Sequence, residues 1–277
     1  MTRATIETRP IPSSGEKLPV IGLGTWQTFD VEPTEANRRP LEEVLSCFVE
    51  LGGRLVDSSP MYGRSEEVVG EITSRLGLGD RLFLATKVWT TGKRAGLAQI
   101  ERSVRRLRSP QVDLLQVHNL LDLDTQLETL RSWKEQGRVR YIGVSHYTAS
   151  AYAEVARVLR REPLDFLQIN YSIVEPEAED QILPLAAERG LAVIVNRPFG
   201  GGDALRRVAG RSLPSLASEL DCESWAELFL KWILADRRVT CAIPATGKLS
   251  HLEDNMRAGT GRLPDAVQRR AIAEAIR

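Results

Sequence analysis

Four ionisable side chains sit where short apolar runs end: Asp57 after "GRLV", Tyr62 five residues later, Lys87 after "RLFLAT" and His118 after "VDLLQV". Each has a plainer use taken singly: Asp57 as a helix cap, Lys87 snorkelling, His118 as a hydrogen-bonded rim residue. Together they suggest proton transfer. A buried Lys87 is costly without a counter-charge, and Asp57 is its natural partner. An ammonium beside Tyr62 would favour phenolate and lower the tyrosine pKa. Such a phenol can protonate a developing alkoxide near neutral pH, and His118 can supply a neutral hydrogen bond that orients a carbonyl. Other chemistries lack their residues. There is no G-x-S-x-G, CxxC or HExxH, and the three histidines, His118, His146 and His251, are too scattered in sequence for a local metal motif. No metal is expected.

The elements needed to hold these residues are legible. β-rich runs occur at 18–24, 53–57, 81–87, 112–118, 140–145, 164–170, 191–195 and 239–244. Segments such as "PLEEVLSCFVE" and "AGLAQIERSVRRLR" carry apolar residues three and four apart, the helical period. Eight strands with helices between them predict an α/β fold, a parallel (β/α)8 TIM barrel whose ligand chemistry lies at the C-terminal strand ends. "SSGEK" predicts a short N-terminal β-hairpin before the barrel, and "LPDAVQRRAIAEAIR" a terminal helix with Pro264 near its first turn. No linker or repeat interrupts the chain, so one domain over 1–277 is expected.

Lys plus Arg and Asp plus Glu are 37 each, a formal net charge of zero. This argues against nucleic acid as a partner. Cys47, Cys222 and Cys241 are widely spaced and odd in number, which reads as unbridged thiols in a reducing compartment. No apolar run approaches the roughly 18 residues of a membrane span, and the N-terminus lacks a leader pattern. A cytoplasmic protein with no membrane partner is expected, and a monomer suffices for a site built from one chain.

The segments "LPVIGLGTW", "GGRLVDSSPMYGRSEEVVG", "FLATKVW", "DLLQVH", "YIGVSHY" and "IPATGKLSHLEDN", in this order, resemble the aldo-keto reductases over nearly the whole chain. The resemblance implies a catalytic tetrad of Asp57, Tyr62, Lys87 and His118. It also implies a nicotinamide dinucleotide lying across the barrel mouth, NADP(H) favoured and NAD(H) possible. Hydride would pass to an aldehyde or ketone carbon while Tyr62 protonates the oxygen; the reverse reaction oxidises an alcohol. Cofactor contacts carried over are Gly24, Thr25, Trp26, Asp57, Ser145, His146, Gln168, Asn196, Arg197, Pro198, Phe199 and Gly200, with Thr246, Gly247, Lys248, His251, Asp254 and Asn255 at the adenosine end. Trp26, Tyr62, Trp89 and His118 would contact the small-molecule carbonyl or alcohol substrate, with Met61 and Tyr147 nearby.

Several positions depart from the family pattern. Ala245 stands where lysine or glycine is usual after "IP", and His251 where arginine is frequent. His146 replaces an asparagine beside the nicotinamide carboxamide, and Asn196 replaces the stacking aromatic, with Phe199 as an alternative stacking surface. Ser250 to Glu253 match a capping box ahead of a helix, a natural phosphate site beside Lys248. If His251 contacts a 2′-phosphate, NADPH binding should weaken as pH rises through the neutral range. Gly200 to Gly202 read as a loop over the pyrophosphate or as a plain turn. Competing readings are physiological alcohol oxidation or redox isomerisation, and a catalytically weak nicotinamide-binding scaffold protein.

Overall fold

In every strand of the barrel, alternate side chains face inward, and this period of two explains both the core and the site. The computed structural model describes residues 5–277, so the first four residues of the expected 1–277 span lie outside the described residues. An antiparallel hairpin comes first, β1 (Thr8–Pro10) with β2 (Lys17–Pro19), in register Thr8↔Pro19. The eight barrel strands follow: β3 (Leu23–Gly24), β4 (Leu55–Asp57), β5 (Phe83–Val88), β6 (Val112–His118), β7 (Val139–Ser145), β8 (Phe166–Asn170), β9 (Ala192–Asn196) and β10 (Cys241–Ala242). All neighbours pair in parallel in chain order. Parallel bridges Ile21↔Ala242 and Gly24↔Ala245 close the last strand onto the first.

The helices are α1 (Glu35–Glu50), α2 (Ser65–Arg75), α3 (Lys93–Leu107), α4 (Leu123–Glu135), α5 (Tyr152–Arg161) and α6 (Ile182–Glu188). They continue with α7 (Asp203–Arg207), α8 (Leu216–Glu219), α9 (Trp225–Leu234), α10 (Leu249–Arg257) and α11 (Ala266–Ala275). α1 starts ahead of the apolar run from Pro40 because the Thr34 side chain accepts a hydrogen bond from Asn37 N and caps it. The expected strand 18–24 divides, with Leu18 and Pro19 going to the hairpin and only Leu23 and Gly24 to the barrel. At the chain end, Asp265 caps α11 in a capping box with Gln268. Pro264 therefore precedes the cap instead of entering the first turn.

Inward residues at the N-terminal end form one apolar cluster: Leu55, Phe83, Ala85, Leu114, Tyr141, Phe166, Ala192, Ile194 and Cys241, joined by Ile11 and Leu18 of the hairpin. The Phe83, Tyr141 and Phe166 rings lie 5.5–5.9 Å apart. The hairpin plugs this end, and Tyr141 Oη donates to the Glu16 carboxylate at 2.9 Å and lies in hydrogen-bond contact with Ser14 Oγ at 2.8 Å across it. Outward residues such as Val56, Leu115, Val144, Leu167 and Val193 pack under the helices in the larger core.

Candidate active site

Two residues further along the same inward rows, the side chains turn polar. Leu55 leads to Asp57, Ala85 to Lys87, and Leu114 through Gln116 to His118. Gly143 leads to Ser145, Phe166 to Gln168, and Ile194 to Asn196. Strand register sets these side by side: Lys87↔Gln116, His118↔Ser145 and Ser145↔Gln168.

Lys87 is fully buried, and its Nζ donates to Asp57 Oδ2 at 2.6 Å and to the Ser58 carbonyl at 2.7 Å. The same Nζ lies 5.1 Å from the centre of the Tyr62 ring. His118 meets that ring edge-on, with centroids 6.2 Å apart and planes at 82°. A turn presents Tyr62: its N–H donates to Ser59 O at 3.0 Å, and its carbonyl accepts from Ser65 N at 3.0 Å. Gly63 follows in the left-handed region at φ 57°, which glycine adopts without strain, and a Cβ there would fall 2.3 Å from the Asp30 carboxylate and force it aside. Asp30 Oδ1 in turn accepts Arg64 N at 2.9 Å. Thr25 Oγ1 donates to the Asp57 carbonyl at 2.9 Å and ties the loop after β3 to the end of β4.

The Tyr62 pKa departs from what the sequence suggested, while the charge states of the set do not. Burial holds the Tyr62 phenol above its ordinary pKa; the nearby Lys87 charge pulls it down without prevailing, and Asp57 adds to the rise. The expected lowering is corrected accordingly: desolvation outweighs the ammonium. Burial opposes charge on Lys87 too, but Asp57 and Tyr62 more than compensate and its pKa is raised. His118 is pushed down to about 3, by burial first and then by Lys87 and His146. The set is therefore a protonated phenol, a lysine ammonium and a neutral imidazole at neutral pH.

Around it lie the other sequence-predicted residues. Ser145 Oγ sits 2.7 Å from His118 Nδ1. Gln168 Nε2 donates to Asp57 Oδ1 at 2.8 Å, and Gln116 Nε2 approaches the same oxygen at 3.4 Å. The two contacts to Asp57 were not anticipated, although the period of two already put Gln116 in line with His118. His146 Nδ1 accepts from Tyr147 N at 3.0 Å and Thr148 N at 3.3 Å, and its ring stacks on Tyr147. Asn196 Nδ2 donates to the His146 carbonyl at 2.9 Å, while its Oδ1 is buried without a partner among the described residues. Arg197, at φ 49°, reaches Glu175 at 3.4 Å, and Pro198 follows it. Phe199 packs against the outer core, which counts against it as a stacking surface. Gly200 to Gly202 all have positive φ, and a Cβ at Gly200 would strike Val174 at 2.4 Å.

At β10 the capping box does not form. The cap of α10 is Lys248, no side chain among the described residues caps the helix, and Ser250 lies inside its first turn. Thr246 Oγ1 instead accepts Lys248 N at 3.0 Å, because the Thr246–Lys248 turn reaches the helix two residues before Ser250. Thr246 and Asn255 are buried, His251 is exposed, and Asp254 pairs with Arg257. Trp26, Met61, Trp89 and Tyr147 are the large apolar side chains left exposed on the loops after β3, β4, β5 and β7. The loop after His118 is backbone-strained, with Asn119, Leu120 and Asp122 all at φ 50–55°.

The model of the aldo/keto reductase family matches residues 20–273. The chain belongs to the aldo/keto reductase family. This aldo/keto reductase is 31% identical over 201 residues to an aldo-keto reductase of a Mycobacterium species, covering 70% of this chain and 68% of the relative. Methylglyoxal reductase YeaE of Escherichia coli is 26% identical over 259 residues, 90% of this chain and 89% of the relative. The match to aldo-keto reductase YhdN of Bacillus subtilis, 28% over 205 residues, spans 69% of this chain and 61% of the relative's length. Among solved structures, the aldo/keto reductase of Klebsiella pneumoniae in complex with NADP and acetate superposes with a TM-score of 0.80 at 25% identity, covering 95% of this chain and 93% of that one. Among the described residues no helix is long and apolar enough to cross a membrane, and no group of three or more His, Cys, Asp or Glu is arranged to hold a metal ion.

Proposed function

We propose that this aldo/keto reductase reduces an aldehyde or ketone to the alcohol with NADPH, in one domain, with Tyr62 as proton donor. The observation that carries the reading is Lys87, buried between Asp57 Oδ2 at 2.6 Å and the Tyr62 ring at 5.1 Å, with His118 against the same ring. Bound at the mouth, the reduced nicotinamide supplies the hydride. Tyr62 keeps its proton through the neutral range and releases it to the carbonyl oxygen as negative charge develops there. The Lys87 ammonium stabilises the phenolate left behind, and Asp57 keeps Lys87 charged in its buried position. His118 stays neutral, so it can donate one hydrogen bond to the carbonyl and orient it without competing as an acid. A phenol that holds its proton favours reduction over alcohol oxidation, which would need the phenolate as base.

The residues suit the cofactor. Asn196 Oδ1 is a buried acceptor lacking a donor among the described residues, on a side chain held by the carbonyl of His146 next to Ser145, and a carboxamide NH2 would satisfy it. The first-turn amides of α10, uncapped by any side chain among the described residues and next to Lys248, suit a phosphate, with Thr246, Gly247 and His251 adjoining. Gly24, Thr25, Trp26, Arg197, Pro198, Gly200, Asp254 and Asn255 are assigned to the same groove. The NADP bound by the Klebsiella relative supports NADP(H) over NAD(H). Trp26 and Trp89 give the substrate apolar walls, and a small carbonyl compound agrees with the name of the Escherichia coli relative. The Asp57–Lys87 contact counts against a scaffold role, since a non-catalytic binder has no use for a buried ion pair aimed at a phenol. Calorimetric titration with NADPH and NADH, followed by a carbonyl and alcohol panel in both directions, tests the assignment. Tight NADPH binding with carbonyl-dependent oxidation is expected; absence of binding to either cofactor would overturn it.

A further inference from the structure

Side-chain hydrogen bonds join the cofactor end of the mouth to two members of the tetrad, Asp57 and His118, which in turn flank the Tyr62 ring through Lys87 and directly. Gln168, 1% exposed, donates to Asp57 Oδ1, and the other carboxylate oxygen takes Lys87. Ser145, also 1% exposed, lies 2.7 Å from the inner nitrogen of His118. Family resemblance gives Ser145 and Gln168 one task, holding the nicotinamide carboxamide. Their contacts in this chain point inward as well, each to a different member of the tetrad.

We infer that Gln168 and Ser145 are positioning residues for the proton-transfer set: Gln168 fixes the rotation of the Asp57 carboxylate so that Lys87 stays between Asp57 and Tyr62, and Ser145 fixes which nitrogen of His118 faces the mouth. This rests on the reductase reading above. Among the described residues, Asp57 Oδ1 has no other side-chain donor than Gln116 at 3.4 Å, a long contact. Without Gln168 a buried carboxylate oxygen loses its good hydrogen bond, and the group gains by turning both oxygens to the Lys87 ammonium. That draws the ammonium away from Tyr62, and the phenol holds its proton more tightly. A serine hydroxyl donating to His118 Nδ1 leaves the imidazole proton on Nε2, the nitrogen able to donate to a carbonyl. Seating of the cofactor and readiness of the acid are thereby coupled through two small side chains.

The experiment uses Gln168→Met, Gln168→Glu and Ser145→Ala in the full chain, with Tyr62→Phe as the spectroscopic blank. In cofactor-free protein, phenolate absorbance is followed by stopped-flow pH jump, faster than alkaline unfolding. Gln168→Met should shift the Tyr62 transition upward and lower kcat roughly 10- to 100-fold, the loss expected for a hydrogen bond to a charged group. Gln168→Glu should regain kcat as pH falls, because its protonated carboxyl can again donate to Asp57. Ser145→Ala should redistribute the His118 proton between its two nitrogens, read by nitrogen NMR of the cofactor-free protein. An unmoved Tyr62 transition, with the only change a weaker NADPH Kd, would overturn the role of Gln168; an unmoved His118 tautomer would overturn that of Ser145. Should Gln168→Met fail to fold, the acid recovery of Gln168→Glu decides the same point. If wild type neither binds NADPH nor turns over, the reductase reading fails, whereas the cofactor-free phenolate and imidazole measurements still decide the positioning.

Discussion

At the N-terminal end of the barrel the inward side chains are Leu55, Phe83, Phe166 and Ile194, closed by the hairpin residues Ile11 and Leu18. Two to four residues on, in the same strands, they are Asp57, Lys87, Gln168 and Asn196. Backbone geometry is the same at both ends. The lower layer is apolar and interchangeable in chemistry, so its constraint is volume. The upper layer is polar and mostly buried, so each group depends on a named partner, such as Lys87 on Asp57. Stability should therefore be concentrated at one end and chemistry at the other.

The largest expected effect is at the upper layer. Tyr62→Phe should lower kcat/KM by about 10²- to 10⁴-fold, the contribution of a general acid, with NADPH affinity little changed. Steady-state kinetics and calorimetry on the same preparation check both parts, and a loss below tenfold would move the proton donor elsewhere. Phe166→Ala sharpens the contrast from below. It should cost about 3–5 kcal/mol of stability in urea denaturation while the folded fraction keeps its kcat. Inactivation of the fully folded variant would show that the two layers are mechanically linked.

A pH-dependent effect comes from His118, which is held down to about 3. Its folded-state value lies below that of the unfolded chain, near 6.5, so between the two the unfolded chain binds the extra proton. Its share of stability is complete above about pH 6.5 and drains as pH falls towards 3, at up to about 1.4 kcal/mol per pH unit. Denaturation curves of wild type and His118→Asn across that window should differ in slope, and identical slopes would remove His118 as the cause. The smallest effect belongs to the adenosine rim. His251→Ala, at an exposed position, should weaken NADPH by only a few-fold, about 0.3–1 kcal/mol, and leave NADH unchanged. Equal losses for both cofactors would take His251 off the 2′-phosphate.

Much of this is legible in the sequence. The recurrence of β-rich runs and 3.6-period segments determined the barrel, because burying both faces of eight parallel strands leaves few alternatives. Asp57, Lys87 and His118 announced themselves as ionisable groups closing apolar strands, and Lys87 demanded a buried counter-ion. Local signals failed where competing contacts decide. Ser250 and Glu253 have the letters of a capping box, but Thr246 turns the chain so that α10 begins at Leu249. Only the tertiary structure could set the Tyr62 phenol above its ordinary pKa, since burial and Asp57 act against Lys87 and their balance depends on distance. Likewise only strand register could reveal that Gln168 serves Asp57, 111 residues away in sequence, and that Ser145 serves His118. Period and composition act within a few residues along the chain, whereas hydrogen bonding and desolvation act between strands that meet only when the barrel closes.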